Sequence, residues 1–562
     1  MSKISLNEKP RILGFCTGCG YCFLLCPQKA VQAREGAGYR ISEELCTDCG
    51  KCILACPVGA ITSPSKCPAG HNNSESGQKA YGPACSKEAV AGDIEKKRQE
   101  KFDAIVIGSG IGGLLTAAAL TRSGKRTVVV ERLNFTGGRF THFNYEGIRV
   151  NTGACHTLPY GEKGPFAEMI EALDLPVKIK NTGGMGSLYV YGRQFRWKGI
   201  MEFLKPFSGR DKLALLKIIL KVLLAEKAKP PGRSFGGWLE TQTSSRMIRS
   251  FFDRMFNFGC SSVIDDIDYE EAKKVIKNVY RSKAPGVIEG GCGFLIEKLV
   301  KLIRSGSGSV LTETEAVEIT TLDGHVCGVK AANRNSGEII ELYSELVMSD
   351  IGPEETYKLL GRSWSGPADE PEGKQFETRG RAVGARPFSG LDQQKISLEE
   401  REAGGMLTAI PALKGTSGLC INLICDISLL SYGPIMYCLD TKRIAGIVQP
   451  TGFDPGLAPP GKHLVISCQM LKSDDVGREI KLGLDDLAAI FGDSFQRHCR
   501  VINTGVFKNS WPVNRAAQGR DHPSVLPVKG LYLVGDGCKA PGHVMVEGVA
   551  GRVKEVLAEI KP

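Results

Sequence analysis

The stretch from 102 to 139, FDAIVIGSGIGGLLTAAALTRSGKRTVVVERLNFTGGR, constrains the fold of this 562-residue chain more than any other. A short apolar strand over 103–107 runs into Gly108-x-Gly110-x-x-Gly113. An Ala/Leu-rich helix follows, and a second apolar strand, Thr127–Val130, ends on Glu131. This order predicts a βαβ unit that binds a dinucleotide. Gly108 permits the tight turn, Gly110 lets backbone approach a pyrophosphate, Gly113 lets helix pack on strand, and the helix N-terminus faces the phosphate charge. Glu131, 18 residues after Gly113, is placed to accept hydrogen bonds from ribose hydroxyls. The glycine pattern alone is a weak signal; the strand, helix and acid around it make it specific.

Residues 12–62 hold CTGCGYCFLLCP and CTDCGKCILACP, each of the form C-x2-C-x2-C-x3-C-P and offset by 30 residues. This is the spacing of a bacterial ferredoxin with two [4Fe–4S] clusters, in which the fourth cysteine of each run ligates the other cluster. It assigns Cys16, Cys19, Cys22 and Cys56 to one cluster, and Cys46, Cys49, Cys52 and Cys26 to the other. Zinc held by four thiolates would show paired C-x2-C units with long spacers instead. Residues 1–62 carry 7 Lys+Arg against 5 Asp+Glu. The module therefore lacks the acidity of a freely diffusing carrier and reads as an internal wire.

Two later features narrow the dinucleotide to FAD. Thr136-Gly137-Gly138-Arg139 follows Glu131, and GLYLVGDGCKAPGHVMVEGVAGR occupies 530–552. With these the chain resembles, over 102–562, the flavin amine oxidase and phytoene desaturase superfamily, which includes carotenoid isomerases and retinol saturases. The resemblance implies an α/β fold: a glutathione-reductase-type FAD-binding Rossmann domain with an interleaved mixed-sheet and helical substrate domain, preceded here by the α+β ferredoxin module. It implies that Arg132, Gly137, Gly138 and Arg139 join Gly108, Gly110, Gly113 and Glu131 around the cofactor. Gly535 and Asp536 are then expected at its ribityl or pyrophosphate region, and Gly548 and Val549 at the opening of a helix whose amides face the isoalloxazine. Gly290-Gly291 before a helix, Glu315-Ala316-Val317 and ELVMSDIGPEETYKLLG follow the family's order, which implies a Val317 contact to adenine. In the family the hairpin THFNYEGIRVNTGACHTLPYGEKGP passes under the flavin ring. That makes His156 the candidate proton donor, because imidazole titrates near neutrality; a histidine that only shapes the pocket is the competing reading.

The expected domains are a ferredoxin module over 1–62, a linker over 63–101 and an oxidoreductase over 102–562. Within the last, FAD-binding parts are expected at 102–160, 286–360 and 505–562, and substrate parts at 161–285 and 361–504. The charged end of the linker, EKKRQEK, predicts a short helix before the flavin strand. Cys67, His71 and Cys85 match no compact metal site. Residues 165–285 read as mostly helical. Residues 330–530 read as a mixed sheet with strands near 418–424, 443–448 and 463–469, and by resemblance 511–519 is a substrate-facing loop. Cys420, Cys425, Cys438, Cys468 and Cys499 show no ligand spacing and read as buried small hydrophobes.

The net charge of +11 is not gathered into Lys/Arg blocks, which argues against nucleic-acid binding. MSKISLNEKPRILGF lacks the apolar core of a signal peptide, so export is not expected. Eight of the 20 cysteines fall in the two runs, which reads as a reducing cytoplasm rather than a disulfide scaffold. The longest apolar run, 213–225, carries Lys217 and Lys221 and is too short and too charged to span a bilayer. It is either a buried wall of a substrate tunnel or a helix lying peripherally on the membrane surface.

No second Gly-x-Gly-x-x-Gly unit with a strand and acid appears, so electrons are expected to pass through the clusters to or from a ferredoxin-like or other one-electron partner. The expected activity is a redox step on a carbon–carbon double bond of an apolar, isoprenoid or polyene substrate. Flavin suits that junction because it handles one or two electrons. Plant-type ferredoxin clusters sit near about −400 mV, so reduction is downhill, whereas desaturation that feeds such clusters is uphill. The alternative is an electron-transfer subunit of a larger complex with no small substrate of its own. An amine oxidase is disfavoured by the fused ferredoxin and only four tryptophans.

Overall fold

The computed structural model describes residues 11–12, 22, 26, 28–33, 39–49, 52, 61–62, 98–153, 157–224, 234–282, 284–334, 336–361, 416–473, 475–507 and 521–560. Cys16, Cys19, Cys56, Cys67, His71, Cys85, His156 and the loop 511–519 lie outside the described residues.

Arg98–Lys101 forms a strand, β1, where a short helix was expected. It runs parallel to Ile339–Tyr343. The open edge of that strand offers these four residues ladder hydrogen bonds, whereas an isolated helical turn has a costly nucleus. Strand β2 (Ala104–Ile107), helix α1 (Ile111–Arg122) and strand β3 (Thr127–Val130) follow as expected. All four side chains of each strand are buried, which matches their unalternating apolar sequence and a parallel sheet covered on both faces.

Helix α2 (Pro165–Ala172) comes next, but the segment beyond it is not wholly helical. Strands β4 (Gly186–Val190) and β5 (Arg193–Trp197) pair as a hairpin. Its turn residues Tyr191 and Gly192 have φ of +54° and +67°, the left-handed geometry of the two-residue turns that match strand twist. Helices α3 (Gly209–Leu224), α4 (Arg246–Cys260) and α5 (Tyr269–Ser282) then build a layer. Phe235, Trp238, Phe251, Phe252 and Phe256 pack there with Tyr437 in an aromatic-rich core. Ser245 caps α4 by accepting from the Ile248 N–H.

Gly290 and Gly291, at φ +81° and +83°, make the turn into α6 (Cys292–Ser305). Strands β6 (Ser309–Leu311), β7 (Thr314–Leu322), β8 (His325–Asn333), β9 (Ile339–Tyr343) and β10 (Val347–Ser349) follow. Beyond residue 416 come β11 (Gly418–Cys425), β12 (Ile435–Cys438), β13 (Ile444–Val448), β14 (His463–Met470), α7 (Val476–Phe491), β15 (Cys499–Phe507), β16 (Leu531–Leu533) and α8 (Met545–Glu559).

A five-stranded sheet runs β6-β3-β2-β10-β16, every neighbouring pair parallel. Leu114, Leu115, Leu299 and Val553 of α1, α6 and α8 bury one face. The meander β7-β8-β9, edged by β1, covers the other through Ile319, Val329 and Leu342. A seven-stranded sheet runs β5-β4-β12-β13-β14-β11-β15, with β4 and β12 parallel. Helix α7 is tied to it by the pair of half-buried Arg443 and buried Glu479 at 2.7 Å. Of the cysteines in this sheet, Cys425 and Cys438 are buried as expected. Two pairs also face one another across strands: Cys420 opposite Cys468, with sulfurs 3.6 Å apart, and Cys425 opposite Cys499.

Candidate functional site

The sheet order places the C-terminal ends of β3, β2, β10 and β16 side by side. There the glycine loop, Glu131, Asp350 and the Gly535–Asp536 turn come together. Gly108 sits at φ +93° and Gly535 at +101°, conformations that an L side chain rarely adopts. A Cβ on Gly113 would lie 2.2 Å from the Gly108 carbonyl oxygen, the close packing of helix on strand expected of this position. Helix α1 has no side-chain cap at Gly110 and no acid in its first turn, so its end suits an anion.

Glu131 is 6% exposed. Its carboxylate accepts from the Ser109 N–H at 2.8 Å and Oγ at 2.6 Å, and from the Leu133 N–H at 2.8 Å. Arg132 beside it is half-buried. The Gly137 N–H donates to the Ser109 carbonyl at 2.8 Å, which ties the Gly-Gly-Arg turn to the glycine loop. Gly137 and Gly138 both have positive φ. Val317 stands 47% exposed beside a bulge in β7, on the strand whose first amide, Thr314 N–H, donates to the Glu131 carbonyl.

Asp536 is bracketed by two cations. Arg139 Nη2 reaches its Oδ2 at 2.8 Å, and Lys539 Nζ its Oδ1 at 3.0 Å. Burial alone would push this carboxyl up, but Lys539 and Arg139 outweigh it and hold the pKa down at about 2. Lys539, 0% exposed, was not singled out by the sequence; it reads there as one polar residue in a loop. Its stem fills the space over Gly548, where a Cβ would lie 2.8 Å from Lys539 Cβ. Helix α8 begins at Met545, so Gly548 and Val549 stand a turn inside rather than at its opening. The Gly548 N–H donates to the Val544 carbonyl, and the amides at the helix end belong to Met545 and Val546.

Asp350 lies in the ELVMSDIGPEETYKLLG segment that follows the family's order, but sequence reading assigned it no role in the site. Its Oδ2 accepts from the Gly113 N–H at 2.8 Å, in place of a cap on α1's own strand connection. The 540–544 loop is held by Glu271, which accepts from the Gly542 N–H at 2.6 Å, and by Tyr160 Oη and Asn278 Nδ2, which donate to the Gly542 carbonyl. Burial raises the Glu271 carboxyl to about 7. A cleft of about 370 Å³ opens between the Gly-Gly-Arg loop and α6, lined by Asn134, Thr136, His142, Glu297 and Arg304. Burial, helped by Arg149, lowers His142 to about 4, so its imidazole is neutral near pH 7.

In the N-terminal module Cys22 and Cys52 are buried with Val31, Tyr39 and Ile61. Burial and then the nearby thiols of Cys46, Cys26 and Cys49 push Cys52 up to about 11. These four are the cysteines that the spacing assigns to one cluster. The Cys26 sulfur accepts from the Ala30 N–H at 3.2 Å and the Cys46 sulfur from the Asp48 N–H at 3.4 Å. Among the described residues no three ligand side chains are closed to metal-binding distance. Tyr39 Oη meets the Thr504 carbonyl of β15 at 3.5 Å, which places the module against the seven-stranded sheet.

A helix end with no acid in its own first turn, a buried carboxylate one strand away and a glycine-lined crevice between them fit the diphosphate and ribose of FAD. A family profile described as a 4Fe-4S dicluster domain matches residues 15–61, and one described as an NAD(P)-binding Rossmann-like domain matches 106–173. A crystal structure of an oxidoreductase from Methanosarcina mazei is 31% identical, with a TM-score of 0.66, over 82% of this chain and 100% of that one. Human all-trans-retinol 13,14-reductase is 24% identical over 308 residues, 46% of this chain and 49% of that protein. Prolycopene isomerase 2 of an Oncidium hybrid is 33% identical over 134 residues, 20% of this chain and 22% of that protein. This chain thus spans about half the retinol reductase and less of the isomerase. Putrescine oxidase shares the fold, at 12% identity and a TM-score of 0.56 over 82% of this chain and 99% of that one. The chain belongs to the FAD-dependent oxidoreductases of the flavin amine oxidase and phytoene desaturase superfamily, with a 4Fe-4S dicluster domain joined ahead of the flavin fold.

Proposed function

We propose that this chain reduces a carbon–carbon double bond of an apolar isoprenoid or polyene, drawing electrons through two [4Fe–4S] clusters from a ferredoxin-like donor. The observation that carries the reading is a dicluster domain packed, through Tyr39 and Thr504, on the sheet of a fold shared with a retinol reductase. Bound FAD supplies hydride transfer and the exchange between one- and two-electron steps.

The chain's own residues do the rest. Cys16, Cys19, Cys22 and Cys56 would hold one cluster, and Cys26, Cys46, Cys49 and Cys52 the other. Glu131 would accept from the ribose hydroxyls, and the α1 amides would meet the diphosphate. Asp536, kept ionised by Arg139 and Lys539, would fix the ribityl side. His156 is assigned the proton that completes the reduction.

Substrate of this kind partitions into bilayers, and α3 offers a way to reach it. No helix among the described residues is long and apolar enough to cross a membrane. Leu213, Leu216, Leu220 and Leu224 nevertheless form an exposed stripe on α3. Residues 198–224 carry Lys198, Lys205, Arg210, Lys212, Lys217 and Lys221 against Glu202 and Asp211. Leucines flanked by lysines suit an anionic bilayer surface.

The test is anaerobic incubation of the cluster-loaded, FAD-loaded chain with reduced ferredoxin and a set of polyene lipids, followed by mass spectrometry. A product heavier by two hydrogens supports reduction. A product lighter by two, or an isomer of unchanged mass, overturns it.

A further inference from the structure

We propose that Asp350 carries a proton in the crevice that receives the FAD diphosphate, so that cofactor retention depends on pH through this one side chain. The proposal rests on the FAD reading above and deepens it. Asp350 closes strand β10, its own N–H donating to the Ile107 carbonyl at 2.8 Å. Because β10 lies between β2 and β16, the side chain stands where the glycine loop and the Gly535–Asp536 turn face each other. Oδ2 accepts from the Gly113 N–H at 2.8 Å. A Cβ on Gly110 would come within 2.3 Å of Oδ2, and one on Gly535 within 1.9 Å of Oδ1. Both glycines therefore leave room that the carboxyl occupies, and the two loops that would touch a diphosphate enclose an acid.

An ionised carboxylate there would oppose the phosphates in a place shielded from water, where like charges repel far more strongly than in bulk solvent. The surrounding groups favour the neutral form. Burial is the largest influence and raises the pKa; the Gly113 N–H lowers it, Asp536 raises it, Arg139 lowers it and Glu131 raises it, leaving it at about 8. Lys539 is taken up by Asp536 and Asp521, the Cys538 thiol is pushed far up by burial, and α1 adds no acid in its first turn. A protonated carboxyl keeps an oxygen for Gly113 and gains an O–H donor for a phosphate oxygen. Phosphate charge raises the pKa further on binding. Affinity is then full below the free-protein pKa and falls as pH rises through it, by up to about tenfold per pH unit.

The test is FAD affinity of the full, cluster-loaded chain under anaerobic conditions, read from the fluorescence of FAD freed on ultrafiltration at several pH values. Wild type should weaken by several-fold, up to about tenfold, between about pH 7 and about pH 9. Asp350→Asn, which keeps the size and the acceptor for Gly113, should bind equally at both ends. A wild-type affinity that does not change with pH, or an Asp350→Asn variant with the wild-type slope, overturns the proposal and leaves FAD binding standing. Failure of wild type to bind FAD at any pH overturns the cofactor reading and this inference together. Thermal melts of the FAD-free proteins check folding, and Asp350→Ser supplies a second neutral side chain if Asn does not fold.

Discussion

Lys539 Nζ stands 3.0 Å from Asp536 Oδ1 with its own side chain 0% exposed, while Arg139 holds the other oxygen at 2.8 Å. Removing Lys539 leaves Asp536 to Arg139 alone and takes the buried cation from Asp521, at a cost of up to about 3 kcal/mol. Lys539→Met should lower stability by up to that amount at neutral pH. The pH dependence has a defined sign. The folded Asp536 pKa, about 2, lies below its ordinary value, so the stabilisation is present above the unfolded pKa and is lost as pH falls through it toward 2. Without Lys539 the acid-unfolding midpoint should move to higher pH. Urea melts across pH 2 to 7 read both effects, and an unchanged acid limb would show that Lys539 does not set the Asp536 charge.

Glu131→Ala removes a buried acceptor that meets Ser109 and Leu133 before any ribose arrives. Loss of a hydrogen bond to a charged group costs roughly 1.5–3 kcal/mol, so FAD affinity should fall by about tenfold or more. Because the Ser109 and Leu133 bonds also disappear, Glu131→Gln separates the roles: it should keep most of the fold's stability and still bind FAD less tightly. Equal FAD affinity in both variants and wild type would remove Glu131 from the site.

Local features were legible in the chain. β2, α1 and β3 followed from an apolar run, a glycine pattern and a second apolar run, and the Gly290-Gly291 turn announced α6. The strands expected near 418–424, 443–448 and 463–469 match β11, β13 and β14, because alternation and flanking turn residues mark strands locally in the sequence. What could not be read depends on distant partners. Arg98–Lys101 becomes a strand only because β9 presents an edge. Asp350 is an unremarkable loop acid until the fold brings Gly113, 237 residues away, to its carboxyl. Lys539 looks like surface until Gly548 makes room for it. The β4–β5 hairpin was missed for a different reason: its signal, Tyr191-Gly192, lies in a region dominated by helical periodicity.

Cysteine ligation can be separated from flavin binding. Cys49→Ala removes one of the three thiols gathered around Cys52, and each cube needs four. Iron should fall from about eight to about four per chain, with flavin absorbance retained because the parallel sheet has its own core. Iron unchanged from wild type would exclude Cys49 as a ligand.

The leucine stripe of α3 gives a measurement on lipid. Leu216→Glu with Leu220→Glu places charge on an exposed face while the buried Leu215, Ile218 and Val222 stay intact. The double variant should melt like wild type but lose flotation with vesicles containing phosphatidylserine. Wild type should float with those vesicles and much less with purely zwitterionic ones, and less again at high salt. Equal flotation of both proteins would place the membrane contact elsewhere.

Wiring through the dicluster domain makes the most demanding prediction. The Methanosarcina mazei chain is matched over its whole length by 82% of this one. A truncated protein must keep β1, since Arg98–Lys101 pairs with β9; a chain starting just before Arg98 respects that ladder, whereas one starting at Lys101 exposes the β9 edge. The truncated chain should bind FAD like the full protein and reduce substrate when the flavin is reduced chemically. With reduced ferredoxin as sole donor it should turn over much more slowly than the full chain, because the clusters are the proposed one-electron entry. Cys49→Ala should show the same split with the module still in place, which separates loss of the cluster from loss of the Tyr39 contact to Thr504. Should the truncated chain accept electrons from ferredoxin as fast as the full protein, the clusters do not feed the flavin, and the chain is better read as an electron-transfer subunit whose dicluster domain serves a partner.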